Sequence, residues 1–563
     1  MLRRLTDRLR RIYGDEKGAA CALRMEVLVG LYTHDEEPQP NMAGWSERDA
    51  VLIAYGDHVL SPAEKPLAAL DHFLDRHTGD VFTALHILPF FPFSSDDGFS
   101  VIDFRAVRAD LGDWSDINVI ARKHRLMVDL VLNHVSAQSA WFKEFIAGRA
   151  PGRDYFLTAD PGADLSAVVR PRTHPLLTKF STRDGGRHVW TTFSADQADL
   201  NFQNPDVLFE MLDVLLFYVS NGARIIRFDA VAYLWKEIGT SCIHLPQTHE
   251  VVKLIRDLLS IVAPGVILVT ETNVPHAENI SYFGDGDEAH MVYQFSLPPL
   301  LLHALARGTA KYLTRWAHEL QPPPVGCSFL NFTSSHDGIG VRPIEGLVPA
   351  AERDALLSHV RARGGEVSMK RNADGSESPY ELNITWYDAM GGLPGETSEL
   401  HLARFLCSQA VCFALRGIPS VYFGALIAAP NDRAGVTTSG RARSINRHKW
   451  PAGELETALG DAASPASRSL AGIKKLLAAR ASRPAFHPDA AQEMLQLDDR
   501  VFAVRRIAAD GRFVLCLHNT AASPVTVRWP GSHGRFRDLL GGRYSAPDIA
   551  LGPYAVAWIE PAA

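Results

Sequence analysis

The chain has 563 residues, of which 46% are hydrophobic and 21% charged, and its formal net charge is −7. This length and composition predict a soluble globular protein of two to four domains. The acidic balance argues against a nucleic-acid partner, which a basic patch would mark, and no apolar run is long enough to predict a membrane span.

The first twelve residues interleave arginines with leucines and one isoleucine. This pattern predicts an amphipathic docking helix and not a targeting peptide, because it lacks the apolar core and cleavage site of a secretory signal. The cysteines are scattered without a CxxC pair, mostly in apolar segments: Cys21, Cys242, Cys327, Cys407, Cys412 and Cys516. They predict buried free thiols and therefore a reducing cytoplasm.

Eight apolar runs alternate with amphipathic helical stretches along most of the chain. The runs are 51–55, 84–90, 126–132, 223–230, 266–270, 291–295, 328–332 and 419–423. Eight strands with intervening helices predict an α/β fold, a closed (β/α)8 TIM barrel, which carries its active site at the carboxyl ends of the strands.

Two long stretches interrupt the barrel pattern, and such lengths are typical of functional insertions. After about residue 490, the period-two runs 501–507, 512–518, 525–529 and 554–560 predict a small antiparallel β domain. The predicted organisation is an N-terminal helical segment 1–48, barrel 49–135, inserted domain B 136–204, barrel 205–337, inserted domain B′ 338–393, barrel 394–490 and C-terminal β domain 491–563.

The fourth run ends Arg227-Phe228-Asp229, which places a charge pair at the end of a buried strand. Residues two apart face the same side of a strand, and a neighbouring guanidinium holds a carboxylate ionised. Such a carboxylate suits the nucleophile of a covalent glycosyl-transferring enzyme. A structural ion pair that closes the strand explains this segment equally well.

Three further strand ends carry ionisable groups. His134 follows the third run, Glu271 the fifth and Asp337 the seventh. Each residue alone is more often structural than functional. Because the carboxyl ends of barrel strands meet at one face, the set together predicts a catalytic site.

Four segments, 129–134, 224–230, 270–273 and 334–338, resemble the four signature regions of the α-amylase superfamily, glycoside hydrolase family 13. The resemblance implies that Asp229 is the nucleophile, Glu271 the general acid/base and Asp337 the transition-state stabiliser. It also implies that the glucosyl ring at subsite −1 is bound by His134, Arg227 and His336.

Further runs, 94–99, 111–114, 297–303 and 336–340, resemble sucrose phosphorylase and its relatives. Within that group, the extra N-terminal segment and the run 283–290 resemble the glucosylglycerate phosphorylase branch. The resemblance implies a glucose pocket lined by Asp96, Phe99, Phe193, Gln197, Tyr233 and Arg447. It places phosphate and acceptor at Arg172 and Tyr380, with Arg170 as the substitute for Arg172.

The implied reaction is reversible phosphorolysis of a small α-glucoside to α-D-glucose 1-phosphate, with retention and without cofactor or metal. We expect a raised pKa for Glu271, an Asp229 kept ionised by Arg227, and carboxyl groups roughly 5–5.5 Å apart. The substrates are an α-glucoside and inorganic phosphate, handled by a monomer or homodimer. The apolar run 231–235 replaces the Lys-His pair of many hydrolytic members and disfavours starch.

The leaving group stays open between glycerate, fructose and glycerol. Three loop arginines, Arg433, Arg441 and Arg443, either pair with a substrate carboxylate or lie on the surface. A hydrolase or transglucosidase on the same fold is the second alternative. A non-catalytic binding protein is disfavoured because all three signature acids are present.

Overall fold

The computed structural model describes residues 2–33, 44–372, 374–392, 396–529, 535–545 and 548–562. Its centre is a closed barrel of eight parallel strands, as the sequence predicts. The first strand pairs with both the second and the eighth, which closes the barrel. In chain order the strands are Val51–Ala54, Ala84–Ile87, Arg125–Val131, Ala223–Asp229, Ile267–Thr270, Met291–Tyr293, Ser328–Phe332 and Ile418–Tyr422.

Helices cover the outside of the barrel, so nearly every strand residue is buried, as in sheets covered on both faces. Local signals set the helix ends; Asp113, for example, forms a capping box before the helix that follows the second strand. The main helices are Pro66–Phe73, Trp114–Lys123, Pro205–Ser220, Pro246–Val262, Leu297–Arg307, Lys311–Glu319, Ser398–Ala414 and Pro465–Ala481. Shorter ones are His276–Ile280, Phe423–Leu426, Arg433–Ser439 and Ala452–Gly460.

The first predicted insertion contains the helix Ala140–Ile146 and the hairpin Leu177–Thr182 with Gly185–Trp190. Its last strand, Gln197–Asp199, pairs with His134–Ser136 directly after the third barrel strand. This pairing fixes the insertion to the carboxyl end of the barrel.

The second predicted insertion carries a three-stranded antiparallel sheet made of Ile339–Gly340, Glu366–Arg371 and Glu377–Asn383. The helices Ala350–Ala362 and Trp386–Ala389 complete it. Positions 373 and 393 of predicted domain B′ lie outside the described residues, and the predicted domain boundaries stay predictions.

The C-terminal region is an antiparallel β module, as predicted. One face of its larger sheet packs on the barrel through Phe502 and Trp558, and the other packs on a second, two-stranded sheet through Leu515 and Ile559. The larger sheet comprises Ala491–Leu495, Val501–Ile507, Phe513–Asn519, Val556–Pro561, Arg535–Asp538 and Arg543–Ser545, and the smaller Val525–Arg528 and Asp548–Leu551. The sequence pattern missed four of these strands because each is short and half polar: Ala491–Leu495, Arg535–Asp538, Arg543–Ser545 and Asp548–Leu551.

The N-terminal segment folds as two helices, Leu2–Tyr13 and Asp15–Tyr32. The first buries Leu5 and Leu9, as its amphipathic pattern predicts, and packs beside the helix Pro246–Val262. Arg8 donates hydrogen bonds to acids on that helix and beyond it. The two N-terminal helices cross closely at Gly18, where a Cβ would lie 2.6 Å from the Arg10 Cα.

Part of the predicted segment 1–48, residues 34–43, lies outside the described residues. All six cysteines are unpaired and buried. In the described part of the chain, no helix combines the length and apolar character needed to cross a membrane.

Candidate active site

Three carboxylates meet at the carboxyl end of the barrel. Asp229 ends the fourth strand, Glu271 directly follows the fifth, and Asp337 lies on the loop after the seventh. All three line one pocket, which the two inserted segments help to enclose. The pocket is also lined by Asp96, Phe99, His134, Arg172, Phe193, Gln197, Ala230, Ala232, Tyr233, Thr272, Asn273, Val274, His336, Tyr380, Glu381 and Arg443.

Arg227 connects the first two carboxylates. Its Nη1 donates to Asp229 Oδ1 at 2.9 Å, and its Nη2 lies 4.0 Å from Glu271 Oε2. The backbone N–H of Ala230 donates to the same Glu271 oxygen at 3.3 Å. Ala230 adopts a left-handed φ of 52°, uncommon for a residue with a Cβ. The strained turn therefore presents Asp229 and holds Glu271 beside it.

Asp129, on the third barrel strand, takes the closest hydrogen bond from Arg227 and a second one from His86 Nε2 at 2.7 Å. Burial raises the pKa of Asp129, but Arg227 and His86 outweigh it and bring this pKa down to about 2. Asp129 is therefore ionised, and it takes up much of the Arg227 charge.

Because Arg227 donates to both Asp129 and Asp229, it stabilises the ionised form of Asp229 less than an exclusive partner would. Burial raises the pKa of Asp229 well above its usual range, Arg227 opposes the rise, and Glu271 adds to it. Burial also raises the pKa of Glu271, again against Arg227. The expected raised pKa of Glu271 is confirmed, whereas the expectation that Arg227 keeps Asp229 ionised is wrong, because burial outweighs Arg227 in setting the pKa of Asp229. Both carboxyls therefore titrate above their usual range, and they do so as interacting sites.

Asp337 is bordered by two guanidinium groups and an imidazole. Arg443 Nη1 lies 2.6 Å and Arg447 Nη2 3.4 Å from its Oδ1, and His336 Nε2 lies 3.4 Å from its Oδ2. Burial raises the pKa of Asp337, but Arg443, His336 and Arg447 together lower it below its usual range. Asp337 is therefore an ionised carboxylate. Arg443 also binds Glu381 through two hydrogen bonds of 2.9 Å.

The remaining wall combines an aromatic surface with converging polar groups. The Phe99 ring stacks on His336 with centroids 4.8 Å apart. His134 Nε2 lies 3.0 Å from the Phe99 carbonyl oxygen and 3.1 Å from Gln197 Nε2, which also lies 3.4 Å from Asp96 Oδ2. An apolar face bordered by such groups suits a single sugar ring.

Arg172 lies between aromatic rings of the two inserted segments. Its guanidinium carbon is 5.6 Å from the Phe193 centroid and 5.2 Å from the Tyr380 centroid. Its side chain donates a hydrogen bond to the Pro171 carbonyl oxygen at 3.2 Å, and among the described residues no carboxylate lies within salt-bridge distance. Arg172 therefore offers free donors to an anion.

The structure brings the predicted site residues together: all of them line the pocket except Arg227 and Arg447, which contact its carboxylates from behind. Arg443 belongs to the wall with its charge already matched, whereas Arg433 and Arg441 are exposed. The sequence reading missed Glu381. Its position next to Tyr380 on an inserted strand was the available signal.

Comparison with known proteins agrees with this geometry. A family model for the catalytic domain of α-amylases matches residues 80–318, and one for the C-terminal immunoglobulin-like domain of D-apionate lactonase matches residues 498–559. The crystal structure of sucrose 6F-phosphate phosphorylase from Thermoanaerobacter thermosaccharolyticum superposes with a TM-score of 0.75 at 24% identity, covering 90% of this chain and 99% of that one. The barrel fold is therefore shared.

The chain is 46% identical to a glucosylglycerate phosphorylase of Allomeiothermus silvanus, over 97% of this chain and 96% of that protein. It is 42% identical to the glucosylglycerate phosphorylase of Escherichia coli over the full length of both. Identity to a sucrose phosphorylase of Bifidobacterium adolescentis is 30%, over 72% of this chain and 81% of that protein. The chain thus belongs to the α-amylase superfamily, glycoside hydrolase family 13, in the sucrose phosphorylase-like group that includes the glucosylglycerate phosphorylases.

Proposed function

We propose that the protein is a retaining phosphorylase that converts 2-O-α-glucosylglycerate and phosphate into α-D-glucose 1-phosphate and glycerate. The observation that carries the proposal is the identity of 42–46%, over nearly the whole chain, to proteins named glucosylglycerate phosphorylase. The pocket supports it with paired carboxylates, a wall of aromatic and polar side chains, and an arginine that has free donors.

In the first half-reaction, an Asp229 oxygen attacks the anomeric carbon and the bond from that carbon to the glycerate oxygen breaks. Glu271 gives its proton to the departing oxygen. The raised pKa of Glu271 keeps a proton available for this step, and Arg227 opposes protonation of the nucleophile Asp229. The product is a β-glucosyl ester on Asp229.

Asp337 supports the same step from the other side of the sugar. Arg443 and Arg447 keep it ionised, and it would accept hydrogen bonds from ring hydroxyls that strengthen as positive charge develops. Its carboxylate also stabilises that charge directly. Asp337 is therefore assigned as the transition-state stabiliser.

In the second half-reaction, a phosphate oxygen attacks the same carbon and the ester bond to Asp229 breaks. Glu271 accepts the phosphate proton, and α-glucose 1-phosphate leaves with the original anomeric configuration. Phosphate must outcompete water, which requires a cation that positions it. Arg172, between Phe193 and Tyr380, is assigned that role.

The leaving group is tested by synthesis from glucose 1-phosphate with D-glycerate, fructose, glycerol or water as acceptor. We expect phosphate release to be fastest with D-glycerate. Faster release with fructose or glycerol would make the protein a sucrose or glucosylglycerol phosphorylase instead, the functions named for its less similar relatives.

Hydrolysis or transglucosylation on the same fold is tested in the other direction. Glucosylglycerate is incubated with and without inorganic phosphate, and glucose and glucose 1-phosphate are measured. We expect glucose 1-phosphate as the main product when phosphate is present. Equal release of free glucose in both incubations contradicts phosphorolysis, and no turnover in either favours a binding protein.

A reducing cytoplasm is the proposed compartment, and the six unpaired, buried cysteines support it. A monomer or homodimer is the proposed assembly. Fractionation of the source cells with thiol labelling, together with sedimentation velocity, tests both proposals. Oxidised cysteines in an exported fraction, or a larger oligomer, contradict them.

A further inference from the structure

Five cationic side chains of the two inserted segments have no described carboxylate within salt-bridge distance. They are Arg170, Arg172, Arg342, Lys370 and Arg371. Within the described ranges, none of them forms a salt bridge, whereas the cations at the bottom of the same pocket, such as Arg227 and Arg443, are each paired with acids. These five side chains therefore carry positive charge that no described acid neutralises through a salt bridge.

Arg170 and Arg172 belong to the inserted segment after the third barrel strand. Arg172 itself lines the pocket. Two residues earlier, Arg170 has buried Nε and Nη2 atoms without a hydrogen-bond partner. Burial lowers the pKa of Arg170, and the charge of Arg371 lowers it further. Two guanidinium groups close enough to repel each other can both bind an anion placed between them.

Arg342, Lys370 and Arg371 belong to the inserted segment after the seventh strand. The N–H of Val341 donates to the Tyr380 carbonyl oxygen at 3.1 Å, so Arg342 follows directly beside the pocket. Its Nε is also buried without a partner. Lys370 pairs through its backbone with Ser378, two residues before Tyr380 on the strand that forms the pocket wall.

Tyr233 lies close to cations of both inserted segments. Burial raises the pKa of this phenol, and the charges of Arg342 and Arg172 oppose the rise. Both guanidinium groups therefore act on one ring of the pocket wall, although they come from different inserted segments. Arg172 and Arg342 thus reach the pocket from the two inserted segments. Arg170 lies two residues from Arg172, and the strand that carries Lys370 and Arg371 pairs with the strand that carries Tyr380.

We infer that Arg170, Arg172, Arg342, Lys370 and Arg371 form a cationic entrance that collects small oxyanions, phosphates and carboxylates, for the catalytic pocket. The inference rests on the proposed function, because both substrates and both products of that reaction are anions. A chain with a net charge of −7 repels such molecules at long range unless local positive charge offsets it. Clefts lined by one sign of charge raise ligand capture by about 10- to 1000-fold.

The test removes three charges but keeps Arg172, the residue assigned to phosphate under the proposed function, in the variant R170Q/K370Q/R371Q. The readout is the ratio of kcat/KM for glucose 1-phosphate, with glycerate held constant, to kcat/KM for hydrolysis of uncharged α-glucosyl fluoride. We expect the ratio to fall by about ten-fold at low ionic strength. The loss should shrink towards 0.5 M salt, because the screening length falls to a few ångströms, roughly 3–4 Å.

Two matched variants control for position and for charge. R122Q removes an exposed arginine from the helix that leads into the amino end of the third strand, on the opposite face of the barrel. R371K changes the side chain but keeps its charge. Both should retain the wild-type ratio. An unchanged ratio in the triple variant, an equal loss in R122Q, or a loss that does not depend on salt overturns the cationic entrance.

Failure of the proposed function gives a different result. In that case the wild-type protein hydrolyses α-glucosyl fluoride but does not use glucose 1-phosphate. If wild-type protein uses both donors and the triple variant keeps the wild-type ratio at every salt concentration, only the inference about the entrance fails.

Discussion

Arg443 Nη1 lies 2.6 Å from Asp337 Oδ1, so an arginine from the loop after the eighth strand holds a carboxylate from the loop after the seventh. The same guanidinium binds Glu381 of the second inserted segment. Three separate parts of the chain therefore meet at one cation. Through this contact, the position and charge of Asp337 depend on residues that lie far away in sequence.

We predict that Arg443→Met lowers kcat/KM about 100-fold, the loss typical when a preorganised charge is removed. It should also destabilise the protein by about 3–5 kcal/mol, because Asp337 and Glu381 lose their shared cation in a buried site. Activity assays and urea unfolding measure the two effects. R441M, at an exposed arginine of the same loop, is the control. If R443M behaves like R441M, Arg443 does not position Asp337.

Asp229→Asn should abolish turnover, with a loss of about 10⁴-fold or more. The thermal midpoint at neutral pH should be unchanged or higher. The reason is that the folded-state pKa of Asp229 is raised, so ionising this carboxyl costs stability as pH rises above its unfolded value. A variant that turns over normally removes Asp229 as nucleophile. A variant that fails to fold supports a structural pair with Arg227.

Glu271→Gln should change the pH dependence as well as the rate. The raised pKa of Glu271 keeps its proton in place above the usual carboxyl range, so kcat/KM for glucosylglycerate should fall as pH rises through that value. In E271Q this alkaline limb should disappear. The glucosylation rate with α-glucosyl fluoride, whose leaving group needs no proton, should drop far less than that with glucosylglycerate. Equal losses with the two donors contradict the acid role.

Arg8→Ala tests whether the N-terminal helix is part of the folded core. The Arg8 side chain is 9% exposed and pairs with Glu250, Asp257 and Asp287, at 3.3, 3.2 and 2.8 Å. Its loss removes one cationic partner from each acid. The acids keep Arg11, Arg4 and Lys253 respectively, so we expect a cost of about 1–3 kcal/mol in urea unfolding. R10A, at an exposed arginine of the same helix, should cost less than about 0.5 kcal/mol. Similar losses of unfolding free energy in R8A and R10A contradict the packing of the N-terminal helix on the folded core.

The barrel could be predicted from sequence because buried parallel strands leave continuous apolar runs. The site could be predicted because its acids end those runs. Contacts between distant loops leave no such local signal, so Glu381 and the position of Arg443 were missed. The ionisation of Asp229 was misjudged for a related reason. Arg227 lies two residues from Asp229 in sequence, so that pair could be predicted. The hydrogen bond from Arg227 to Asp129 joins two different strands and is seen only in the folded structure.

The left-handed turn at Ala230 fixes the relative position of the two catalytic acids. Its N–H, on the peptide that follows Asp229, contacts Glu271 at 3.3 Å, so one peptide unit sets the distance between the two acids. The inserted segments that surround the pocket are not part of that link. Substitutions in these segments can therefore change substrate specificity over evolution while the two catalytic acids keep their relative position.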